Sequence, residues 1–504
     1  MSKKARAAKK GVSQFDMLCS LITAIFFVDT IASVATMGFA SITWNLIVAL
    51  IFFLPGSLTV AELGATYPDN GGFYSWIKRA FGELWGARIS WIYWICNSIW
   101  ISSVCTLIVN VFCQVFYLEL PKIVTTVANI GIIWLIMFVA SRPNESSQKI
   151  TNISCIAKFI LGGCLVAAAI AFLARGEQMA NVISAGAFRP TFGAAIVFIP
   201  ALIYNFLGFE VGCSNAAELE NPARDVPKAA LKNCILVTVL YLVTVLSMLV
   251  VLPAGDISII RGLVDAYRTG FGTGMASTII SYALGLIFVG VLFCQGMMWI
   301  LSVCRVARES ALSGELPAQL SKQNRHGSPS GSLLVSGCVA SAMTIASSFL
   351  TGGAEVVFWS IFSCTSFLLL IPYIVNFEAY LKLKRTDTET PRAYTFPGPP
   401  WLATLFVRIG ELVCLATMFL FIWVPGTPFD IQTAGFVLMG IVVALGSGEL
   451  IVRRCMARRT SLPPVPGTER TVRAKHVDGH RIEEIVSEIE ERVEEKIASK
   501  DPAL

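Results

Sequence analysis

Twelve stretches of apolar residues, separated by short polar segments, divide the chain. Each is about 20 residues long or longer, which is the length a helix needs to cross the hydrocarbon core of a bilayer. The stretches occupy residues 15–39, 43–64, 85–115, 122–141, 151–174, 192–217, 229–253, 276–304, 331–350, 354–381, 402–424 and 431–452. The pattern predicts an all-α membrane protein with twelve transmembrane helices, numbered spans 1 to 12. The first stretch is too long for the apolar part of a cleaved signal peptide and is counted as a span.

The composition agrees with a chain surrounded mostly by lipid. Of its 504 residues, 55% are hydrophobic and 14% are charged, whereas soluble proteins carry about 25% charged residues. These values exclude a disordered chain, a nucleic-acid-binding protein and an ordinary cytosolic enzyme. The fourteen cysteines form no CxxC pair and the chain has three histidines, so we expect neither a metal site nor a cofactor.

The basic residues of the segments between spans predict the orientation. With the N-terminus inside, the inside segments carry 24 lysines and arginines and the outside loops carry 5. Basic residues concentrate on the cytoplasmic side of membrane proteins. We therefore expect a multi-pass protein of the cytoplasmic (inner) cell membrane, with a basic tail at 1–14 and both termini cytoplasmic.

The C-terminal segment 460–504 differs from the rest of the chain. A linker with three prolines precedes apolar residues at helical spacing among seven glutamates, which predicts an acidic amphipathic helix. Its acidic polar face is unsuited to an anionic membrane surface. Two interpretations remain open: a solvated helix packed on a neighbouring element, and a regulatory helix or one that forms a homo-oligomer.

Among the ionisable residues inside predicted spans, where a charge is costly and usually functional, three stand out. They are Asp29 in span 1, Lys158 in span 5 and Glu210 in span 6. Each also has a structural interpretation: a packing contact for Asp29, a satisfied buried carboxyl for Glu210, and a side chain extending to the cytoplasmic surface for Lys158. Arg408 and Glu411 in span 11 are spaced i,i+3 and are expected to neutralise each other.

The neighbours of the two carboxylates predict that spans 1 and 6 are broken helices. Gly208 flanks Glu210, and Thr30 and Ser33 near Asp29 can bond to backbone groups that a break would free. Spans 1 and 6 each begin a set of five spans, and an odd number inverts the second set relative to the first. Broken segments at matching positions of inverted halves mark the substrate site of a transporter.

Aromatic residues add a second feature to this predicted site. Trp299 lies in span 8, and span 3 contains Trp91, Tyr93, Trp94 and Trp100. Aromatic faces beside carboxylates can hold a desolvated ammonium or guanidinium by cation–π attraction. The pattern predicts a twelve-span carrier for a substrate with a cationic group.

Four further motifs carry a family resemblance over about residues 15–450. They are Ala61-Glu62-Leu63-Gly64-Ala65-Thr66-Tyr67-Pro68 with the glycines that follow, Glu220-Asn221-Pro222-Ala223-Arg224-Asp225-Val226-Pro227, the segment 305–317 ending Ser-Gly-Glu-Leu-Pro, and Tyr394-Thr395-Phe396-Pro397-Gly398. In this order they resemble the amino acid–polyamine–organocation transporters, and most closely the glutamate/GABA-antiporter branch. The resemblance implies a five-plus-five inverted repeat, with the first five helices in 15–175, the inverted five in 190–385 and two additional spans in 402–453. It also implies exchange or uptake of amino acids or their amines.

The resemblance assigns roles to individual residues. Gly208-Phe209-Glu210 matches the family's Gly-x-Glu break, whose glutamate is tied to proton sensing in one antiporter of the family. Tyr204 matches a gating aromatic and Trp299 the aromatic that stacks on the substrate. Lys158 matches a lysine that stands in for a sodium ion in proton-coupled members.

Span 1 departs from the family pattern. Where many members have a glycine-rich break that receives the substrate carboxylate, this chain has Val28-Asp29-Thr30-Ile31-Ala32-Ser33. An anion at this position favours amines, or substrates whose ammonium meets Asp29. We expect an amino acid/amine antiporter in which Asp29, Thr30, Ser33, Tyr204, Gly208, Glu210 and Trp299 bind substrate, and Lys158 and Glu210 couple protons. The alternative is a proton-coupled uptake permease for neutral amino acids or polyamines; a membrane-embedded enzyme and a channel lack the expected residue patterns.

Overall fold

The protein is described by a computed structural model covering residues 13–69, 71–190, 198–213, 219, 221–258, 261–349, 354–425 and 431–461. These residues form helices joined by turns and contain no β-strand. In chain order the α-helices are α1 (Gln14–Ile25), α2 (Ile31–Ala35), α3 (Ala40–Val48), α4 (Leu54–Thr66), α5 (Phe73–Phe81), α6 (Glu83–Val115), α7 (Lys122–Ala140), α8 (Asn144–Ala174), α9 (Ile199–Tyr204), α10 (Pro222–Val251), α11 (Gly262–Phe271), α12 (Met275–Leu312), α13 (Ser330–Ser347), α14 (Ala354–Thr386), α15 (Pro400–Ile422) and α16 (Ile431–Ser461). The contacts discussed below lie within one compact unit, residues 1–456.

Eleven candidate membrane spans are found among the described residues. Each is long and apolar enough to cross a bilayer. They are Gln14–Ala35, Ala40–Thr66, Glu83–Val115, Lys122–Ala140, Glu145–Ala174, Pro222–Val251, Met275–Leu312, Ser330–Ser347, Phe358–Thr386, Pro400–Ile422 and Ala434–Arg459. They match predicted spans 1–5 and 7–12, so the all-α membrane fold is confirmed.

Three predictions about the organisation remain predictions. Part of span 6, and all but the last residues of the basic tail at 1–14, lie outside the described residues. The acidic helix predicted in 460–504 lies beyond residue 461 and is likewise outside them. The count of twelve spans and the inverted relation of the two sets of five therefore remain predictions.

Span 1 consists of two helices, as the sequence predicted. α1 begins at a capping box in which Ser13 and Asp16 bond to each other's backbone amide, an arrangement that satisfies free N–H groups at a helix start. α1 ends because Phe26 and Phe27 leave the helical conformation, with ψ angles of 86° and 96°. A 3₁₀ turn at Val28–Thr30 then leads into α2, and Asp29 lies in this turn.

Span 6 is interrupted at the predicted glycine. α9 ends at Tyr204, and the described residues after it form turns up to Cys213. Gly208 has a φ of +106°, a conformation that only glycine adopts without strain. The chain therefore leaves the helix at Gly208-Phe209-Glu210, which places Glu210 beside non-helical backbone.

A buried cluster around Glu62 joins two of the segments that carry the family resemblance. Glu62, near the end of α4, is fully buried and accepts hydrogen bonds from Tyr380 at 2.7 Å, Lys384 at 3.2 Å, Arg392 at 2.9 Å and the amide of Phe396 at 2.8 Å. Two cations and a backbone amide offset the cost of burying this carboxylate. The cluster fixes the end of α4 against the end of α14 and the segment that follows it.

A second contact between the same segments lies outside the spans. The hydroxyl of Tyr67 donates to Asp387 Oδ2 at 2.6 Å, and this bond lowers the pKa of the Asp387 carboxyl below its usual range. Because the lowered pKa belongs to the folded state, the stabilisation is present above the ordinary pKa of aspartate. It is lost as the pH falls through the lowered value.

We expect Glu62→Gln to destabilise the protein, because the amide removes the negative charge that Lys384 and Arg392 share. Breaking a buried pair costs about 3–5 kcal/mol, and since both cations are partly exposed we expect about 2 kcal/mol here. Thermal unfolding in detergent measures this as a lower melting temperature. The matched control is Glu378→Gln, which removes an exposed carboxylate paired with Arg408 and should melt like the wild type. Equal melting of both variants would contradict a stabilising role of the cluster.

Candidate substrate and coupling site

Lys158 lies on α8 and caps the break in span 1. Its ammonium is fully buried and donates to the carbonyl oxygens of Thr23 at 2.7 Å and Phe26 at 2.5 Å, and to Oε1 of Gln295 at 2.6 Å. The end of a helix leaves carbonyl groups without partners and favours a cation. The interpretation that Lys158 extends to the membrane surface is therefore wrong, since its charge lies at the interruption.

Gln295, on α12, connects Lys158 to Asp29. Its Oε1 accepts from Lys158 and its Nε2 donates to Asp29 Oδ1 at 3.4 Å. A carboxylate has about four acceptor positions, and Asp29 is partly exposed although its neighbours Val28 and Thr30 are buried. Asp29 therefore keeps acceptor capacity for a further donor, such as an ammonium.

Tyr241, on α10, bonds to backbone at both interruptions. Its hydroxyl accepts from the amide of Phe27 at 2.7 Å, and lies 2.7 Å from the carbonyl oxygen of Ile25 and 3.2 Å from that of Asn205. The first two groups belong to the break in span 1 and the third to the chain just after α9. One side chain thus satisfies polar backbone groups that two broken helices leave without helical partners.

The hydroxyls of Thr30 and Ser33 also bond to the backbone around the break. Thr30 Oγ1 donates to the carbonyl oxygen of Phe27 at 2.9 Å, and Ser33 Oγ to that of Thr30 at 2.8 Å. Both hydroxyls keep acceptor capacity. The structure thus shows the backbone contacts that the sequence suggested, while substrate binding by these hydroxyls stays a prediction.

Glu210 lies in a separate network formed with two tyrosines. Oε1 accepts from the hydroxyl of Tyr93 at 2.7 Å, and Oε2 from that of Tyr373 at 2.5 Å. The Tyr373 hydroxyl also accepts from the amide of Gly208 at 2.6 Å. Glu210 is 3% exposed, so these hydroxyls replace the hydration that burial removes. The network ties the break in span 6 to α6 and α14.

An aromatic cluster lies between the two breaks, centred on Phe27. The ring of Phe27 is 5.1 Å from Tyr204, 6.3 Å from Trp100 and 6.4 Å from Trp299, centroid to centroid. Tyr204 in turn contacts Phe362 of α14 at 4.5 Å. These separations lie within or close to the range of favourable aromatic contacts. The rings assigned to substrate stacking and gating therefore lie side by side at the interruption of span 1.

Trp299 and Gly208 are in close contact. The indole Nε1 of Trp299 donates to the carbonyl oxygen of Ala24 at 3.1 Å, which fixes the ring against α1. A Cβ atom at Gly208 would lie 2.9 Å from Cζ2 of Trp299 and 3.2 Å from Cγ1 of Ile25. The absence of a side chain at Gly208 thus permits the close approach of the span 6 backbone to this ring.

The structure brings most of the predicted site residues together, although their roles remain proposals. Lys158 and Asp29 share one network, and Tyr204, Gly208 and Trp299 surround the break beside them. Three residues of these networks were not named from the sequence: Tyr241, Gln295 and Tyr373. A fourth, Tyr93, was named only as one of the aromatic residues of span 3. Each is a polar side chain inside a long apolar stretch, which is the one signal that could have identified them.

The predicted pair in span 11 is formed. Arg408 Nη1 donates to Glu411 Oε2 at 2.6 Å, and Glu378 of α14 also pairs with Arg408. The guanidinium of Arg408 is thus shared by two carboxylates at the contact between α14 and α15. This pair has the structural role that its spacing indicated.

A multi-pass helical membrane protein in which buried ionisable groups meet at two interrupted spans has the architecture of a secondary transporter. Residues 12–445 match the model of the amino acid permease family. The chain belongs to this family, so the family predicted from the sequence motifs is confirmed.

Similar proteins carry transporter names. The chain is 28% identical over 464 residues to a probable agmatine/putrescine antiporter of Lactococcus lactis, covering 90% of this chain and 97% of that protein. It is 28% identical to an uncharacterized transporter of Legionella pneumophila over 82% of this chain and 89% of that one. A glutamate/gamma-aminobutyrate antiporter of Lactococcus lactis is 24% identical, over 82% of this chain and 84% of that one.

Proposed function

We propose that this protein is an antiporter that exchanges amino acids or their decarboxylated amines across the cytoplasmic membrane by alternating access. The observation that carries the proposal is the Lys158–Gln295–Asp29 network at the interruption of span 1. It presents a carboxylate with free acceptor capacity beside an aromatic cluster, which suits an ammonium group. The antiporter names of two relatives support exchange over uptake.

Within this class, the charge at the break favours a substrate without a carboxylate. A substrate carboxylate would meet the like charge of Asp29, and like charges in a desolvated site repel strongly. The amide of Phe27 already donates to the hydroxyl of Tyr241, so this amide does not offer a free hydrogen bond to a substrate carboxylate. We therefore propose an organic amine as at least one of the two exchanged substrates, with Asp29 on its ammonium and Trp299 and Tyr204 on its apolar part.

Counterflow in vesicles tests the proposal. Purified protein is reconstituted, and uptake of labelled putrescine, agmatine and a panel of amino acids is measured with and without unlabelled substrate inside. We expect preloading to accelerate uptake of an amine by about tenfold, because an antiporter returns only when loaded. Equal uptake into empty and preloaded vesicles, together with dependence on a proton gradient, would instead support the uptake permease.

We also propose that Lys158, with Glu210, couples transport to protons. Lys158→Ala fixes the site without the ammonium, so we expect the pH dependence of exchange to flatten. The measurement is the exchange rate in vesicles at several pH values. Lys149→Ala is the matched control, because Lys149 is an exposed lysine on the same helix. A Lys158→Ala protein that exchanges with the wild-type pH dependence would assign Lys158 a capping role alone.

The lysine variant also has a structural cost that the measurement must separate. In Lys158→Ala the carbonyl oxygens of Thr23 and Phe26 lose the hydrogen bonds that the ammonium donates to them in the wild type. A buried acceptor without a partner lowers the stability of a protein by about 1–3 kcal/mol. Substrate-induced thermal shift on the purified variant shows whether the site still forms. Only a variant that still binds substrate is informative about the pH dependence.

A further inference from the structure

One face of α1 contacts the first half of α8 through polar groups. We call this contact the polar seam. Its members come from about two turns of each helix: Asp16, Cys19, Ser20 and Thr23 on α1, and Gln148, Thr151, Asn152 and Cys155 on α8. Lys158 lies one turn beyond Cys155, at the inner end of the seam.

Side-chain amides form the outer part of the polar seam. Asn152 Nδ2 donates to Asp16 Oδ1 at 2.6 Å. Gln148 Nε2 lies 3.1 Å from the carbonyl oxygen of Asp16, 3.2 Å from Ser20 Oγ and 3.0 Å from Asn152 Oδ1. The four side chains are partly exposed, so this end of the seam is open to water.

The inner part of the polar seam continues this contact to Lys158. Thr23 Oγ1 donates to the carbonyl oxygen of Thr151 at 3.2 Å, and the side chains of Cys19 and Cys155 lie next to each other across the contact. The carbonyl oxygen of Thr23 then accepts from Lys158. These side chains are buried, so exposure decreases along the seam until it reaches the fully buried ammonium.

The opposite face of α1 is apolar. Met17 and Leu21 lie against Gly212, and Ile25 lies against Gly208, so this face packs on the interrupted span 6. Polar side chains on α1 are thus directed at α8. Helices in a bilayer associate by van der Waals packing as well as by polar contacts, and each polar contact adds little on average. Adhesion alone therefore does not account for polar groups that continue from the exposed start of α1 to a buried ammonium.

The surroundings of Lys158 supply that explanation. All three ammonium protons are bonded to carbonyl or amide oxygens, which do not take up a proton. The titratable groups facing the ammonium are Asp29 from the turn of span 1, Cys155 from α8 and Cys294 from α12. On the neighbouring α10 and α11, the hydroxyls of Tyr241 and Tyr267 bond to backbone carbonyl groups. Asp29 lies beyond the break, away from the start of α1. A proton that passes between Lys158 and bulk water at the start of α1 therefore has only Cys155, among these groups, or water to carry it.

We propose that the polar seam is the route by which water carries protons between Lys158 and the cytoplasm, opened when α1 separates from α8. The inference rests on the proposed function, in which Lys158 couples protons and the start of α1 faces the cytoplasm. Each hydrogen bond of the seam can be replaced by a bond to water at a small net cost. An apolar contact would not hydrate in this way.

Substituting the outer amides tests the route. In Gln148→Leu/Asn152→Leu the apolar side chains exclude water. The change in exchange rate that cytoplasmic pH produces should therefore become about tenfold smaller, equivalent to about 1.4 kcal/mol. The response to pH on the other side should remain. The measurement is labelled putrescine exchange in vesicles with one protein orientation, varying the pH on one side at a time. Asn129→Leu is the matched control, because Asn129 is a buried asparagine bonded to Thr106 away from the seam.

A covalent link between the two native thiols tests the same route without changing a residue. Oxidation with copper phenanthroline removes two protons and two electrons from Cys19 and Cys155 and forms a disulfide, whose position mass spectrometry verifies. We expect the linked protein to bind substrate but to lose at least about tenfold in exchange and its response to cytoplasmic pH. Reductant should restore both, and oxidised Cys19→Ala protein should stay active.

The outcomes separate this inference from the proposed function. Absence of putrescine, agmatine and amino acid exchange by the wild-type protein would overturn the proposed function. If the wild-type protein exchanges putrescine, and both the leucine variant and the linked protein keep the cytoplasmic pH response, the polar seam serves adhesion only and the inference is overturned. Loss of that response in both, with the control unchanged, supports it.

Discussion

Asp29→Asn is expected to lose substrate binding while inserting into the membrane normally. The near-isosteric amide removes the charge that would pair with a substrate ammonium, and breaking a buried charge pair costs about 3–5 kcal/mol. We therefore expect the concentration for half-maximal exchange to rise by about a hundredfold or more. The measurements are exchange in vesicles and amine-induced thermal shift. Asp265→Asn is the matched control, since Asp265 lies on α11 and bonds to Gln114.

The charge of Asp29 also acts on Lys158 through Gln295, so the single variant affects two interactions. The double variant Asp29→Asn/Lys158→Ala separates them. If the carboxylate served only as a counter-charge for the lysine, removing both charges would restore amine binding. If the carboxylate holds the substrate, the double variant should bind as weakly as Asp29→Asn. Amine exchange by Asp29→Asn within about twofold of wild type would contradict both interpretations.

Gly208→Val is expected to abolish exchange. The backbone has a φ of +106° at this position, which costs a β-branched residue of order 1–3 kcal/mol. Its Cβ would meet Trp299 at 2.9 Å, so the ring would have to leave its place beside Phe27. Gly208→Ala has the same backbone strain but adds fewer atoms, so we expect it to lose less exchange activity than Gly208→Val. Exchange and substrate-induced thermal shift are measured on both.

Gly163→Val is the control for this glycine. Gly163 lies on α8, where a Cβ would meet no atom within 4 Å, so the variant tests the effect of a valine on insertion and stability alone. Wild-type exchange by Gly208→Val would show that the contact between span 6 and Trp299 is not needed for transport. A loss shared equally by Gly163→Val would point to insertion instead.

Sequence reasoning located the two breaks because their residues conflict with their surroundings. A carboxylate in an apolar run is costly, and glycine beside Glu210 weakens the helix, so Asp29 and Glu210 identified the positions directly. The partners could not be found in the same way. Lys158 bonds to backbone carbonyl groups of Thr23 and Phe26, and every residue has such a group. Gln295 and Tyr373 become recognisable as partners only when helix packing brings Gln295 to the break in span 1 and Tyr373 to the break in span 6.

The orientation of Lys158 shows why an isolated position is insufficient. Lys158 is close enough to the end of span 5 for its side chain to reach the membrane surface. The sequence does not show which neighbouring helix this side chain faces. The break in span 1 creates free carbonyl groups at the same level, which provide a stronger site for the ammonium than the interface does. This outcome depends on the contact between α1 and α8, and the order of residues along either helix does not encode it.

The hydroxyl of Tyr241 has a consequence for cooperativity between the two interrupted spans. It has a single hydrogen atom, yet two carbonyl oxygens, of Ile25 in span 1 and Asn205 after α9, lie within reach. When either carbonyl oxygen moves away, the hydroxyl can donate more strongly to the other one. The breaks in spans 1 and 6 therefore do not open independently. In hydrogen-exchange experiments the backbone amides on both sides would then report one common opening event, with a single free energy, rather than two.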